Sequence, residues 1–224
     1  MTAKKRFMML ACMNIEDEIA SAMQECGADF PVLYMPSDNH NFPQQMNTHL
    51  QQIIDTLTDI DYLLLPMGRC GNATVGLHSS RFSLVLPRCE DCVNLLLSED
   101  SLKVNRPNYT MFFTAGWLRG KQAPDISHAR TVKKYGEDKA KMLEQMIYGQ
   151  YRDFALLETG LYDTNIVKQR LTPLAECVAV NFKELAAPFG VLKKMVRLEL
   201  EDDNFVIVPP GTVVTEEMLE PNCV

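Results

Sequence analysis

The sequence predicts an α/β fold, with mostly parallel sheets flanked by helices in a Rossmann-like arrangement. Apolar, strand-length runs alternate with amphipathic helical segments from one end of the chain to the other. That alternation is typical of parallel strands joined by crossover helices. Runs such as 62–65 have no polar alternation, as expected for strands that are covered on both faces.

We expect residues 1–224 to form one α/β domain, because no Gly/Ser-rich linker or low-complexity tract divides the chain. A chain of 224 residues is also long enough for two lobes around a central cleft. In that arrangement the segment 118–130 is the predicted crossover between the lobes.

The spacing of apolar residues sets the order of the elements. The first predicted strand, 6–12, is followed by a helix over 15–26 that Gly27 ends. A helix is also predicted over 163–176, where Pro173 is expected to end or kink it. The other predicted strands are 32–35, 62–65, 83–86, 109–114, 154–158, 177–181 and 204–208, and the other predicted helices are 44–57, 91–98, 137–148 and 190–200.

Charge and hydropathy argue against two classes of partner. The formal net charge of −7 opposes nonspecific binding of nucleic acid, which needs a surplus of Lys and Arg facing the phosphates. No apolar run approaches the roughly 20 residues of a membrane-spanning helix, and the first residues lack the pattern of a signal peptide. We therefore expect a cytoplasmic protein that binds neither nucleic acid nor a membrane.

Three cysteines stand where an apolar strand has just ended. Cys12 closes the first strand, Cys70 follows strand 62–65, and Cys92 follows strand 83–86. Because ligands of open α/β sheets bind outside the carboxyl ends of the strands, we expect these sulfurs to face one crevice. Converging thiolates are typical ligands of a soft metal ion or an iron–sulfur cluster. An odd total of seven cysteines, with no predicted export signal, also favours free or metal-bound thiols over a disulfide framework.

Neighbouring residues of the same loops are candidates for cofactor binding. Gly68 and Gly71 would let the backbone approach a ligand closely, and Asn72 ends that loop. The alternative for the loop is a tight turn without a ligand. Arg88 is expected to pair either with an acidic group of a ligand or with Asp91.

Two further motifs are weaker signals. Thr114, Gly116 and Trp117 follow the strand 109–114, and the tryptophan, the only one in the chain, either lines a pocket or closes the core. Cys89 and Cys92 have the Cys-x-x-Cys spacing found in zinc sites, iron–sulfur sites and dithiol redox pairs, but a single pair is not specific.

Four blocks of residues resemble a known family in the same order along the chain: 68–72, 85–92, 113–117 and 204–211. That family is called domain of unknown function 1638. The resemblance implies Cys70 and Cys92 as site residues, and Cys12 matches an early Ala-Cys of the family. This chain has Cys89 and Glu90 where the family usually has Ala-His, so the resemblance implies no histidine ligand there and does not include Cys89 among the common ligands.

The resemblance also implies a metabolic setting. Members of the family are found in anaerobic bacteria and methanogens, often beside genes for corrinoid-dependent methyltransferases. It therefore implies a corrinoid protein or a corrinoid methyltransferase as a partner, but it supplies no substrate.

From these observations we expect a metal-site protein of anaerobic methyl and corrinoid metabolism. It would bind a [4Fe–4S] cluster through Cys12, Cys70 and Cys92. One alternative is a zinc–thiolate protein of methyl transfer. Another is a noncatalytic accessory protein that binds a corrinoid or a partner, with the cysteines in its core. No motif identifies a catalytic residue, so the sequence leaves open whether the protein is an enzyme.

Overall fold

A computed structural model describes residues 5–36 and 42–220, which divide into two compact units. The first unit contains the described residues up to Val104 and those from Pro188 onwards, and the second unit is Asn105–Ala187. The chain therefore enters the second unit once and returns once. The segment 118–130, where a crossover was expected, lies inside the second unit.

Strands and helices alternate along most of the described chain, and the predicted α/β class is confirmed. The strands are β1 (Phe7–Cys12), β2 (Val32–Met35), β3 (Tyr62–Leu64), β4 (Ser83–Pro87), β5 (Thr110–Phe113), β6 (Asp153–Glu158), β7 (Asn181–Ala186) and β8 (Phe205–Val208). The α-helices are α1 (Glu16–Cys26), α2 (Pro43–Thr56), α3 (Cys92–Leu97), α4 (Pro124–Tyr135), α5 (Glu137–Tyr148), α6 (Thr164–Val178) and α7 (Gly190–Val196).

The first unit is built on a five-stranded sheet in the order β2-β1-β3-β4-β8. The first four strands are parallel, and β8 runs antiparallel to β4. From β1 the chain goes to β2 on one side and then to β3 on the other side. The strand order therefore reverses between β1 and β3, which is the position where open α/β sheets bind their ligands.

The second unit has a smaller sheet, β5-β6-β7, in which all strand pairs are parallel. Helices α4, α5 and α6 belong to this unit. Its core is formed by Phe113 and Phe154, which meet edge to face with ring centroids 5.0 Å apart, and by apolar residues of α6.

Local sequence explains how individual helices begin and end. The first turn of α1 carries three acidic residues, which interact favourably with the amide end of the helix dipole. Gly27 then ends α1 in the left-handed conformation, with φ of 64°. Asp91 caps α3 by accepting a hydrogen bond from the Val93 amide at 2.9 Å.

Two expectations about elements were wrong, and the structure excludes one of the two alternatives for Pro173. Cys177 does not open a strand but lies in the last turn of α6, and the strand begins at Asn181. Pro173 does not end α6, because buried apolar side chains on both sides of it hold the helix against the core and tertiary packing outweighs local propensity. The helix α7 ends at Val196 instead of continuing to residue 200.

Helix α4 was not predicted, because its residues have a largely polar composition and only His128 is buried. Within residues 5–36 and 42–220, no helix has the length and apolar character needed to cross a membrane.

Candidate metal centre

Cys12 is the last residue of β1 and sits beside the reversal of strand order. It pairs in register with Met35 of β2, and only 7% of its surface is exposed. The Asn14 amide donates to its sulfur. The buried first strand therefore delivers a thiol to the carboxyl edge of the sheet.

Cys70 is placed by hydrogen bonds between two loops. The loop that follows β3 lies along the loop that follows β4, where the Arg69 amide donates to the Cys89 carbonyl at 2.9 Å and the Cys70 amide donates to the Glu90 carbonyl at 2.7 Å. These bonds bring Cys70 next to the segment that leads into α3 and Cys92.

Gly68 makes this approach of the two loops possible. A Cβ atom at this position would lie 2.2 Å from the Cys89 carbonyl oxygen and 2.8 Å from the Cys89 sulfur. No side chain fits at that separation, so the structure gives Gly68 a role in packing one loop on the other.

The backbone turns left-handed at Cys70 and stays so for three residues. The φ angles are 47° at Cys70, 65° at Gly71 and 70° at Asn72. For a non-glycine residue this conformation costs roughly 1–2 kcal/mol. Such strain concentrates at functional sites, where the surrounding structure has to hold it.

Side chains around this loop supply that support. The buried Thr74 hydroxyl donates back to the Gly68 carbonyl at 2.9 Å. From α2, the Asn47 amide group donates to the carbonyls of Ala73 and Val75, both at 2.9 Å. The loop that carries Cys70 is therefore fixed from two directions.

Cys92 is the first residue of α3 and is 4% exposed. Cys89, three residues earlier, is fully buried, and its thiol donates to the Asp91 carbonyl at 3.4 Å. The two members of the Cys-x-x-Cys motif thus have different surroundings, since Cys89 packs against the Gly68 backbone.

The three predicted cysteines lie within electrostatic reach of each other. Burial is the largest cause that raises the pKa of each thiol, to about 12 for Cys70 and well above the ordinary value for Cys92. Burial also raises the pKa of the Cys12 thiol above its ordinary value. Cys12 adds to the pKa shift of Cys70, and both Cys70 and Cys12 add to that of Cys92.

Main-chain amides partly oppose these shifts. The amides of Cys92 and Gly68 donate to the Cys70 sulfur and lower its pKa, whereas the Asp91 carboxylate raises it. In the metal-free state the thiols therefore keep their protons at neutral pH. A bound metal cation would convert them to thiolates, because coordination deprotonates a thiol.

Three cysteine thiols with amide donors directed at sulfur match an iron–sulfur cluster in donor type, because such hydrogen bonds tune these clusters. Cys12 and Cys92 are buried, and Cys70 is partly buried. Within the described ranges, no group of three or more His, Cys, Asp and Glu side chains has the placement needed to hold a metal ion, so the match is one of donor type and not of geometry.

Arg88 is held by main-chain carbonyls. Its Nε donates to the Phe205 carbonyl at 3.2 Å and its Nη1 donates to the Met218 carbonyl at 2.8 Å. The Arg88 guanidinium therefore ties β8 and the segment after it to the end of β4.

Sequence reasoning missed Arg69, whose charge links three loops. Its Nη2 lies 3.0 Å from Glu90 and its Nη1 lies 2.5 Å from Glu216. Arg69 directly precedes Cys70 in the chain, but its second partner, Glu216, is far away in the sequence. No local pattern connects Arg69 with Glu216.

The candidate residues of the other motif belong to the second unit. Thr114 is fully buried after β5, and Gly116 begins a 3₁₀ turn, Gly116–Leu118. The Trp117 ring lies edge-on to Phe113 with centroids 6.2 Å apart and packs on the core of that unit. Of the two roles considered for Trp117, its contacts are those of core closure.

Comparison with known proteins identifies the family. A family profile described as "Protein of unknown function (DUF1638)" matches residues 34–196. That range includes Cys70 and Cys92, whereas Cys12 precedes it. Neither the curated proteins nor the solved structures gave a significant match. The profile covers more than half of the chain, and the protein therefore belongs to the DUF1638 family.

Proposed function

We propose that this protein binds a [4Fe–4S] cluster through Cys12, Cys70 and Cys92. The observation that carries the proposal is the position of three cysteines at three separate strand ends. Cys12 and Cys92 are buried, Cys70 is partly buried, and hydrogen bonds between two loops bring Cys70 beside the segment that leads to Cys92. The three cysteines lie beside the reversal of strand order, where α/β sheets bind ligands.

The chain's own residues would hold and tune the cluster. The fixed loop keeps Cys70 in its left-handed conformation without help from a ligand. The amides of Asn14, Gly68 and Cys92 donate to cysteine sulfurs, and such bonds raise the reduction potential of a cluster by stabilising its more negative state. Asp91 acts in the opposite direction, because its negative charge disfavours the addition of an electron.

Three cysteine ligands leave one iron of the cluster available, and a bound cluster would supply Lewis-acid or electron-transfer chemistry there. The family resemblance supports a place for this chemistry in anaerobic methyl metabolism, beside a corrinoid protein or corrinoid methyltransferase. Zinc held by the same thiols, and a metal-free accessory role, are the competing outcomes of the test below.

The first test is the metal content of the full chain purified without oxygen. We expect about four irons and about four sulfides per chain, brown colour and a broad visible absorption. Cys70→Ala, Cys92→Ala and Cys12→Ala should each lose most of the iron and the colour.

Cys26→Ala is the matched control, because Cys26 is a half-buried cysteine of the same unit that takes no part in the proposed site. It should keep the iron content of the unsubstituted chain. Stoichiometric zinc with no colour would replace the cluster by a zinc–thiolate site. A protein that takes up neither metal would contradict both and leave an accessory role.

A further inference from the structure

A groove in the second unit lies among helices α4, α5 and α6. Its volume is about 690 Å³, which is within the range of small-molecule sites. Its apolar lining, here called the apolar wall, is made by Ala129 and Val132 of α4 and Pro173 of α6, and Cys177 also lines the groove. None of these residues takes part in the proposed cluster site.

A buried imidazole–carboxylate pair, His128 and Glu144, lies at this groove. His128 lines it, although only 7% of the residue is exposed, and Glu144 is 4% exposed. The His128 Nδ1 lies 3.5 Å from Glu144 Oε1 and makes no hydrogen bond. The negative charge of the nearby carboxylate favours a proton on Nδ1, even without a hydrogen bond, and the neutral ring then has Nε2 as its acceptor.

The charge of Glu144 extends over the groove. After burial, Glu144 is the next cause that raises the pKa of the Cys177 thiol. It likewise helps to raise the pKa of the Tyr148 hydroxyl to about 12. Lys141 opposes the effect at Cys177. Two neighbouring groups on different helices therefore experience a negative potential from this carboxylate.

The rim of the groove adds to that potential. It carries three carboxylates against two ammonium groups, namely Glu137, Asp138 and Glu176 against Lys133 and Lys141. A ligand suited to this groove has a positive charge, at least one N–H donor for the imidazole, and a short hydrocarbon part for the apolar wall.

We propose that the groove binds a protonated primary amine. Its ammonium group donates to the imidazole of the imidazole–carboxylate pair, and its alkyl chain lies on the apolar wall. A buried charge is costly unless a partner of opposite charge offsets its desolvation. The bound cation would be that partner for the Glu144 carboxylate.

The test is a titration of the full chain, labelled with ¹⁵N, with n-butylammonium chloride. We expect saturable NMR shifts confined to α4, α5 and α6, with a dissociation constant on the order of 1 mM for so small a ligand. n-Butyltrimethylammonium has the charge but no N–H donor, and 1-butanol has neither. Each should bind at least tenfold more weakly.

Glu144→Gln should weaken n-butylammonium binding at least tenfold, with Glu217→Gln in the first unit as a control that leaves it unchanged. Three results would overturn the proposal: no saturable shift for n-butylammonium, equal binding of the three probes, or unchanged binding in a folded Glu144→Gln protein. Zinc binding at these residues without any response to the amine would do the same. The probe comparison on the unsubstituted chain does not depend on the folding of a variant.

Discussion

The two units of this chain use parallel strands in the same way but end them in different residues. In the first unit, the segments after β1, β3 and β4 present Cys12, Cys70 and Cys92. In the second unit, the segment after β5 presents Thr114 and Trp117, which are packed into or against the core.

The difference lies in what the loops after the strands do. In the first unit, two successive loops are hydrogen-bonded to each other and one of them is strained. In the second unit, the strand β5 runs into a short 3₁₀ turn whose tryptophan covers apolar residues. The same parallel architecture therefore has candidate ligands at its strand ends in one unit and core-packing residues in the other. This difference is expected when function depends on the site and not on the fold.

The sharpest contrast between the units is in thiol reactivity. The pKa of Cys70 is raised from an ordinary 9.0 to about 12, so its thiolate fraction at pH 8 should be about 1,000-fold below that of an ordinary thiol. Cys70 and Cys177 of the second unit are both partly exposed, and Lys141 opposes the rise in the Cys177 pKa. In the metal-free protein, mass spectrometry after iodoacetamide treatment should therefore find Cys70 modified more slowly than Cys177, because its pKa is raised to about 12. Equal rates would contradict the raised pKa assigned to Cys70.

The same shift has a consequence for stability. Below about pH 9 the Cys70 thiol keeps its proton in both the folded and the unfolded chain. As pH rises from about 9 towards 12, the unfolded chain loses this proton first, so the free energy of unfolding of the metal-free protein should fall. Urea unfolding across this range measures the change, and a flat profile would argue against a buried thiol.

A pair of glycine substitutions compares the strand-end loops directly. Gly68→Ala places a methyl group on the Cys89 carbonyl and should cost about 3 kcal/mol or more, at or beyond the upper end of usual overpacking. Gly160→Ala, after β6, meets nothing within 4 Å and carries only the strain of its φ of 77°, which costs about 1 kcal/mol. Urea denaturation of both variants checks the difference.

The two variants should also differ in metal content. Gly68→Ala separates the loops that carry Cys70 and Cys92, so iron should be lost even from the folded fraction. Gly160→Ala should keep it. Similar stability losses for both substitutions would mean that the two loops after β3 and β4 do not need their close approach.

The smallest expected effect concerns Trp117. Trp117→Ala should destabilise the protein by about 2 kcal/mol, less than the loss of a fully buried tryptophan, because the ring is half-buried. Its edge-on contact with Phe113 is the main loss. Iron content should stay unchanged, whereas a loss of iron with little loss of stability would give Trp117 a part in cofactor binding.

Much of the first unit could be predicted because its signals are local. The apolar strands and the position of each cysteine after a strand are readable from short windows, and parallel strands bring such ends to one edge. This rule places Cys70 and Cys92 after β3 and β4, whereas their role as ligands stays a prediction. Arg69 and Arg88 were harder, because their partners Glu216 and Met218 come from residues more than a hundred positions away.

The elements of the second unit were predicted less accurately, for a related reason. The polar helix α4 has little apolar periodicity, so the crossover was placed on it. Pro173 was expected to end or kink the helix predicted over 163–176, but α6 continues to Val178, because packing against the core outweighs the missing amide of one proline. Burial that depends on distant residues leaves no regular pattern in the local sequence.

The antiparallel strand β8 has a consequence for biosynthesis. It pairs with β4, and the Arg88 guanidinium reaches across it, yet the ribosome makes these residues only after the whole second unit. Until then the growing chain has an unpaired edge on β4, and unpaired edges favour misassembly. We therefore expect the first unit to be completed only after β8 has been made, so that the loops with Cys70 and Cys92 reach their final packing after the second unit has been synthesised.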